Sequence, residues 1–202
     1  AGVIGALMYS WLSKKYSWKG KLVSVAILAL PIFVGGYGDT VGWKTMTDAY
    51  PNTLDGLDYT RQFVGPQDYD IVQWARKNIS GQPVVLEATG QSYSTYNWFS
   101  AFTGLPTIIG WQSHEWGWRY DKDAWNKVAL RMGQVESIYK AKDPQTLKGM
   151  VNVAGISYVL VSQNEKSLYN VQEDVMKKAF GDPVFNDGRS ALYKTGFTDK
   201  NI

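Results

Sequence analysis

The sequence predicts a membrane-anchored α/β protein: a transmembrane helical hairpin followed by a small, mostly parallel α/β sheet domain with an antiparallel edge. Three observations carry that expectation. Residues 22–38, LVSVAILALPIFVGGYG, form an uncharged apolar run at the short end of what crosses a bilayer as a helix. From residue 66 to residue 180, stretches with helical periodicity alternate with short apolar runs, the order that βαβ units require. Near the C-terminus, Asn186-Asp187-Gly188-Arg189 lies between two apolar segments and marks a hairpin.

Composition narrows the function classes. At 202 residues, 45% hydrophobic and 19% charged, the chain can bury a core of ordinary size. Its net charge of +3 is small and its lysines and arginines are scattered, which argues against nucleic-acid binding. Nine tryptophans and thirteen tyrosines exceed the needs of such a core, and amphipathic rings suit membrane interfaces and flat or sugar-like ligands. The lack of cysteine removes disulfides, thiolate sites and cysteine nucleophiles, and a single histidine makes a zinc site improbable.

At the N-terminus, residues 1–12 are also apolar, and Lys14, Lys15, Lys19 and Lys21 fall between the two apolar runs. The pattern reads as a span, a short cytoplasmic basic loop and a second span, with residues 1–38 in the membrane region and 39–202 as an extracytoplasmic domain. Pro31 is tolerated in a span where neighbouring helices restore the lost hydrogen bond. A signal peptide and a buried hairpin of a soluble protein are the competing readings. The apolar start without an initiator methionine suggests the C-terminal piece of a longer multi-pass protein.

In the outer domain, residues 66–79 read as an amphipathic helix ended by Ser80-Gly81, and 84–86 as a core strand. Ser94 or Thr95 is expected to cap a helix through Ala101, ended by Gly104 and Pro106, with a parallel strand at 107–109. A long helix is expected over 123–142, with Gly133 as a candidate break. Asp143-Pro144 caps a further helix running to Val153, Gly155 ends it, and 156–161, ISYVLV, is the third core strand. Residues 164–180 read as one helix, and 183–185 and 191–193 as the hairpin strands.

Candidate chemistry gathers between Val84 and Arg119. Glu87 follows an apolar strand at its carboxyl end, where open α/β sheets assemble ligand sites, and Arg119 is its natural partner, either across a ligand crevice or as a loop-bracing ion pair. His114 suits a proton shuttle or a ligand hydrogen bond, or is a satisfied structural residue. Tyr93, Tyr96, Trp98, Trp111, Trp116 and Trp118 are candidates for stacking on a ligand or for the headgroup level, with some claimed by the core. Ser92, Ser94 and Thr95 lack the surroundings of a hydrolase nucleophile. Asp39, Asp48, Asp55, Asp58, Asp68 and Asp70 could help a cation or lipid-phosphate site, although scattered acids usually form a solvated surface. Asn78-Ile79-Ser80 fits the glycan-acceptor pattern.

The segment VVLEATGQSYSTYNWFSAFTGLPTIIGWQSHEWGWR, with E-x-x-G-x-S-Y, S-A-x-T-G-L-P-T and G-W-x-x-H-E-x-x-W-R in order, resembles the YYY membrane protein family. These are uncharacterised archaeal and Chloroflexi-type multi-pass proteins grouped with the lipid-linked-sugar glycosyltransferases of the C superfamily. LDGLDY, DYDIVQWARKN, SIYKAKD and GISYVLVSQNE extend the resemblance over roughly two-thirds of the chain. It implies an extracytoplasmic C-terminal domain on a polytopic body that carries the catalytic acid, so this piece alone would be inactive. Glu87, Tyr93, Thr103, His114, Trp118 and Arg119 occupy family-pattern positions without an assigned role.

Two functions are therefore expected. In the first, the full protein transfers sugar from a polyprenyl-phosphate donor, and Glu87, Tyr93, Tyr96, His114, Trp116, Trp118 and Arg119 bind substrate. In the second, the domain is a non-enzymatic accessory subunit whose aromatics dock on a protein partner in a membrane assembly. No cofactor is legible; any divalent cation is expected in the membrane body. The lipid bilayer is a partner in both.

Overall fold

The central strand β2 of the sheet (Ile156–Val161) is buried on both faces, and the other elements are arranged around that fact. The computed structural model describes residues 9, 11, 17–49, 56, 61, 66–119 and 121–197. The chain divides into two compact units, Ala1–Leu54 and Asp55–Ile202.

In the first unit, α1 runs over Trp18–Ala49, and its stretch Trp18–Gly42 is long and apolar enough to cross a membrane. Leu22, Ile27, Leu30, Ile32 and Phe33 are exposed along it. The helix continues through Pro31 and past residue 38, and Lys19 and Lys21 lie in its first turns rather than in a loop. Most of the expected first span, Lys14, Lys15 and all of the LDGLDY motif but Gly56 lie outside the described residues.

In the second unit, α2 (Pro66–Asn78) precedes β1 (Val84–Leu86), and α3 (Trp98–Thr103) and α4 (Gln112–Gly117) follow. Next come α5 (Ala124–Tyr139), α6 (Pro144–Ala154), β2 (Ile156–Val161), α7 (Gln163–Tyr169), α8 (Glu173–Phe180), β3 (Phe185–Asn186) and β4 (Ala191–Lys194). The sheet order is β1-β2-β4-β3. Only β1 and β2 pair in parallel; β2–β4 and β4–β3 are antiparallel. The sheet is thus mixed rather than mostly parallel, because the strand expected at 107–109 contributes a single parallel bridge, Val85 to Thr107. Val85 N–H donates to Pro106 O at 2.8 Å there.

Side-chain alternation along the strands sorts the core into two layers. Val85, Leu160 and Leu192 face Ile71, Val72 and Ala75 of α2 and Trp98 and Phe99 of α3. Leu86, Val159, Val161 and Tyr193 face Val128, Val135 and Ile138 of α5, Leu147 and Val151 of α6 and Met176 of α8. β2 therefore reads as a continuous apolar run.

Local chemistry explains several boundaries. Asp143 accepts the Thr146 amide at 2.7 Å to start α6, and Gly155, at φ 68°, ends it. α5 runs through Gly133 without a break. The helix expected over 164–180 is two helices, because Asn170 takes a left-handed conformation, φ 51°, that terminates α7. α3 starts at Trp98 rather than near Ser94, behind a left-handed Asn97.

Candidate functional site

The two carboxylates nearest the ends of the parallel strands are both buried and both structural. Glu87, 1% exposed, accepts the amide hydrogens of Phe99 at 3.0 Å and Ser100 at 3.1 Å. It caps α3, whose own N-cap residue Asn97 supplies no side-chain cap and instead donates from Nδ2 to Ile109 O at 3.0 Å. Burial pushes the Glu87 carboxyl up to about 7; hydrogen bonds from Ser100 oppose the shift and the neighbouring Glu165 adds to it. Glu165, also 1% exposed, closes a capping box with Ser162 and is likewise raised by burial.

This placement corrects the expected Glu87–Arg119 pair. Arg119 Nη2 bonds Glu115 Oε2 at 2.7 Å, one turn away, and Glu87 spends both oxygens on α3. The donors that turn Glu87 inward lie twelve and thirteen residues on and form only when α3 folds back over β1. The segment expected as the 111–119 loop contains α4, which sets Glu115 and Arg119 one turn apart.

The aromatic candidates do come together. His114 stacks on Trp118 with ring centroids 5.0 Å apart, meets Tyr93 edge-on at 5.0 Å and lies 5.4 Å from Trp111. Tyr93 is 85% and Trp118 74% exposed, so this cluster is a surface. Trp116 sits edge-on to Trp125 at 6.0 Å, also exposed. Tyr96 is half-buried, and its carbonyl accepts the Trp111 indole N–H at 2.8 Å. Thr103 bonds Phe99 O at 2.7 Å and serves the end of α3. The Ser92 and Ser113 hydroxyls bond each other. Asn78 donates to Trp74 O at 2.7 Å at the end of α2.

Beside α4, a groove of about 360 Å³ is lined by Arg119, Lys127 and Arg131, with Ile108, Ile109 and Leu130 as its apolar wall. Lys127 pairs with Asp121, and Arg131 Nη1 donates to Gln134 at 3.1 Å. Both contacts are exposed to solvent, which screens them, so an incoming anion can compete for the cations. Lys127 and Arg131, one helical turn apart on α5, were not singled out by the sequence reading; their i, i+4 spacing is the signal that shows them together. Among the described residues, no cluster of histidine and carboxylates has the makings of a metal site.

The fold and this surface define a small mixed-sheet α/β domain with an aromatic and basic face, in a chain that also carries an apolar helix of membrane-spanning length. No family model matches the chain, and no curated protein or solved structure matches it.

Proposed function

We propose that this chain is the membrane-attached outer part of a protein that holds a polyprenyl-phosphate sugar at the aqueous face of a bilayer. The observation that carries the reading is the groove lined by Arg119, Lys127 and Arg131 next to the His114–Trp118 stack. Guanidinium and ammonium groups suit the phosphate, and exposed rings suit the sugar face or the headgroup layer. On this reading α1 serves as a membrane span, and the lysines at and before its start favour an extracytoplasmic side for the residues after about Asp39. The resemblance to the YYY membrane protein family supports the same ligand and assigns sugar transfer to a membrane body, with this domain positioning substrate.

A second reading, an accessory subunit that docks on a protein partner, is favoured by the exposure of Tyr93, Trp116, Trp118 and Trp125. Binding of polyprenyl-phosphate sugars to the full protein in nanodiscs separates the two. Saturable binding lost in Arg119→Ala and Arg131→Ala, with Glu87→Gln retaining it, supports the first. Absence of binding together with co-purification of one stoichiometric partner supports the second.

A further inference from the structure

A second cavity, of about 390 Å³, opens on residues that the aromatic and basic face does not use. Its wall is drawn from four separate places: Asp68 on the first turn of α2, Trp98 at the start of α3, Ser162 and Asn164 after β2, and Arg189 and Ser190 in the β3–β4 turn. All meet where the parallel pair β1–β2 ends and β4 begins, the edge of an α/β sheet where ligand crevices form. The volume lies within the range of about 300–1,000 Å³ usual for small-molecule sites.

We propose that this cavity is a binding site for a neutral polyhydroxylated ligand of the saccharide class, with Asp68 accepting ligand hydroxyls, Arg189 and Asn164 donating to them, and Trp98 as part of the apolar lining. The lining chooses that class. Its one carboxylate and one guanidinium balance, which disfavours a strongly anionic or cationic ligand, and the other polar groups are hydroxyls and amides that exchange hydrogen bonds with hydroxyls. Trp98 is 5% exposed and packed edge-on against Phe99, so it adds a small apolar patch to the lining rather than an open ring face.

The polar groups are held in place by bonds of their own. Asp187 Oδ1 accepts the amides of Arg189 at 2.9 Å and Ser190 at 2.8 Å, and Gly188, at φ 86°, permits the turn. Asn164 Nδ2 donates to Thr95 O at 2.9 Å, which ties the β1–α3 loop to the rim. Asp68 is 9% exposed, and its one side-chain hydrogen bond among the described contacts is the long one from Ser190 Oγ, 3.4 Å. Burial raises its carboxyl to about 6, Ser190 and Arg189 oppose the shift, and Asp187 and Glu165 add to it. Such a carboxylate gains from hydroxyls that donate to it.

The site shares no residue with the Arg119 groove and stands without the lipid-linked reading. The test titrates the full chain, in nanodiscs of zwitterionic phospholipid free of glycoside detergent, with a panel of neutral methyl pyranosides. Saturation-transfer NMR and calorimetry read the binding. Saturable binding of at least one pyranoside is expected, weakened at least about tenfold by Asp68→Asn and by Arg189→Ala and unchanged by Arg119→Ala. Arg189 sits on an exposed turn, so its variant reports even if Asp68→Asn alters folding, which circular dichroism detects. Failure of every pyranoside to bind, binding indifferent to both variants, or a response confined to zwitterionic amino acids overturns the proposal.

Discussion

Glu165 Oε1 accepts the amide hydrogen of Ala88 at 2.7 Å, joining two residues 77 positions apart. The carboxylate that caps α7 thereby also fixes the end of β1. Its other oxygen takes the Ser162 amide at 2.7 Å and the Ser162 hydroxyl.

Glu165→Ala leaves these buried donors without an acceptor, each costing roughly 1–3 kcal/mol. A total loss of at least about 3 kcal/mol is expected, read as a lowered urea midpoint with little change in the slope.

Protonation of Glu87 couples stability to pH. In the native state this carboxyl keeps its proton up to about 7, against an ordinary value of 4.5. Between those values the unfolded chain binds fewer protons than the native one, so stability falls as pH rises. The shift corresponds to at most on the order of 3 kcal/mol. Asp68, raised from 3.8 to about 6, acts in the same direction over a lower window. Wild type is expected to be more stable near pH 4.5 than near pH 7.5. Glu87→Gln should flatten the upper part of that slope, and an unchanged slope in the variant would refute the assignment.

Gly90 is a steric requirement. A Cβ built there would lie 2.2 Å from the Tyr96 ring. Because the Tyr96 carbonyl holds the Trp111 indole, Gly90→Ala should displace the whole 90–96 loop. A cost of about 1–3 kcal/mol is expected, with altered tryptophan fluorescence.

The absence of cysteine makes topology measurable with one introduced thiol. Val153, 88% exposed at the end of α6, is the place for it. On the proposed orientation, Val153→Cys in intact cells reacts with a membrane-impermeant maleimide. Labelling only after lysis would reverse the orientation.

The sequence makes the local elements legible and leaves the long-range ones hidden. ISYVLV announces β2, and Asp143-Pro144 with Gly155 brackets α6, because each signal is contained within a few residues. Apolar periodicity runs on through residues 164–180, so the left-handed turn at Asn170 is hidden. His114, Trp118 and Tyr93, expected to line a ligand crevice, do come together around His114, but as an exposed ring cluster; His114 and Trp118 stand one helical turn apart. Glu87 is recognisable as a carboxylate in need of partners, yet its partners are amides that no side-chain pattern reveals. Asp68 reads as a solvated acid because the residue that helps to enclose it, Ser190, is 122 positions away.

The β3–β4 turn illustrates how this fold separates durability from selectivity. Its backbone is set by Asp187 and Gly188, while Arg189 projects from it on an exposed stretch outside either apolar layer. Exchanging the residue at 189 changes one wall of the cavity without removing a methylene from the core. Variants at that single position therefore alter the cavity wall from outside both apolar layers, a freedom that Glu87 and Glu165, each tied to the ends of the strands, do not have.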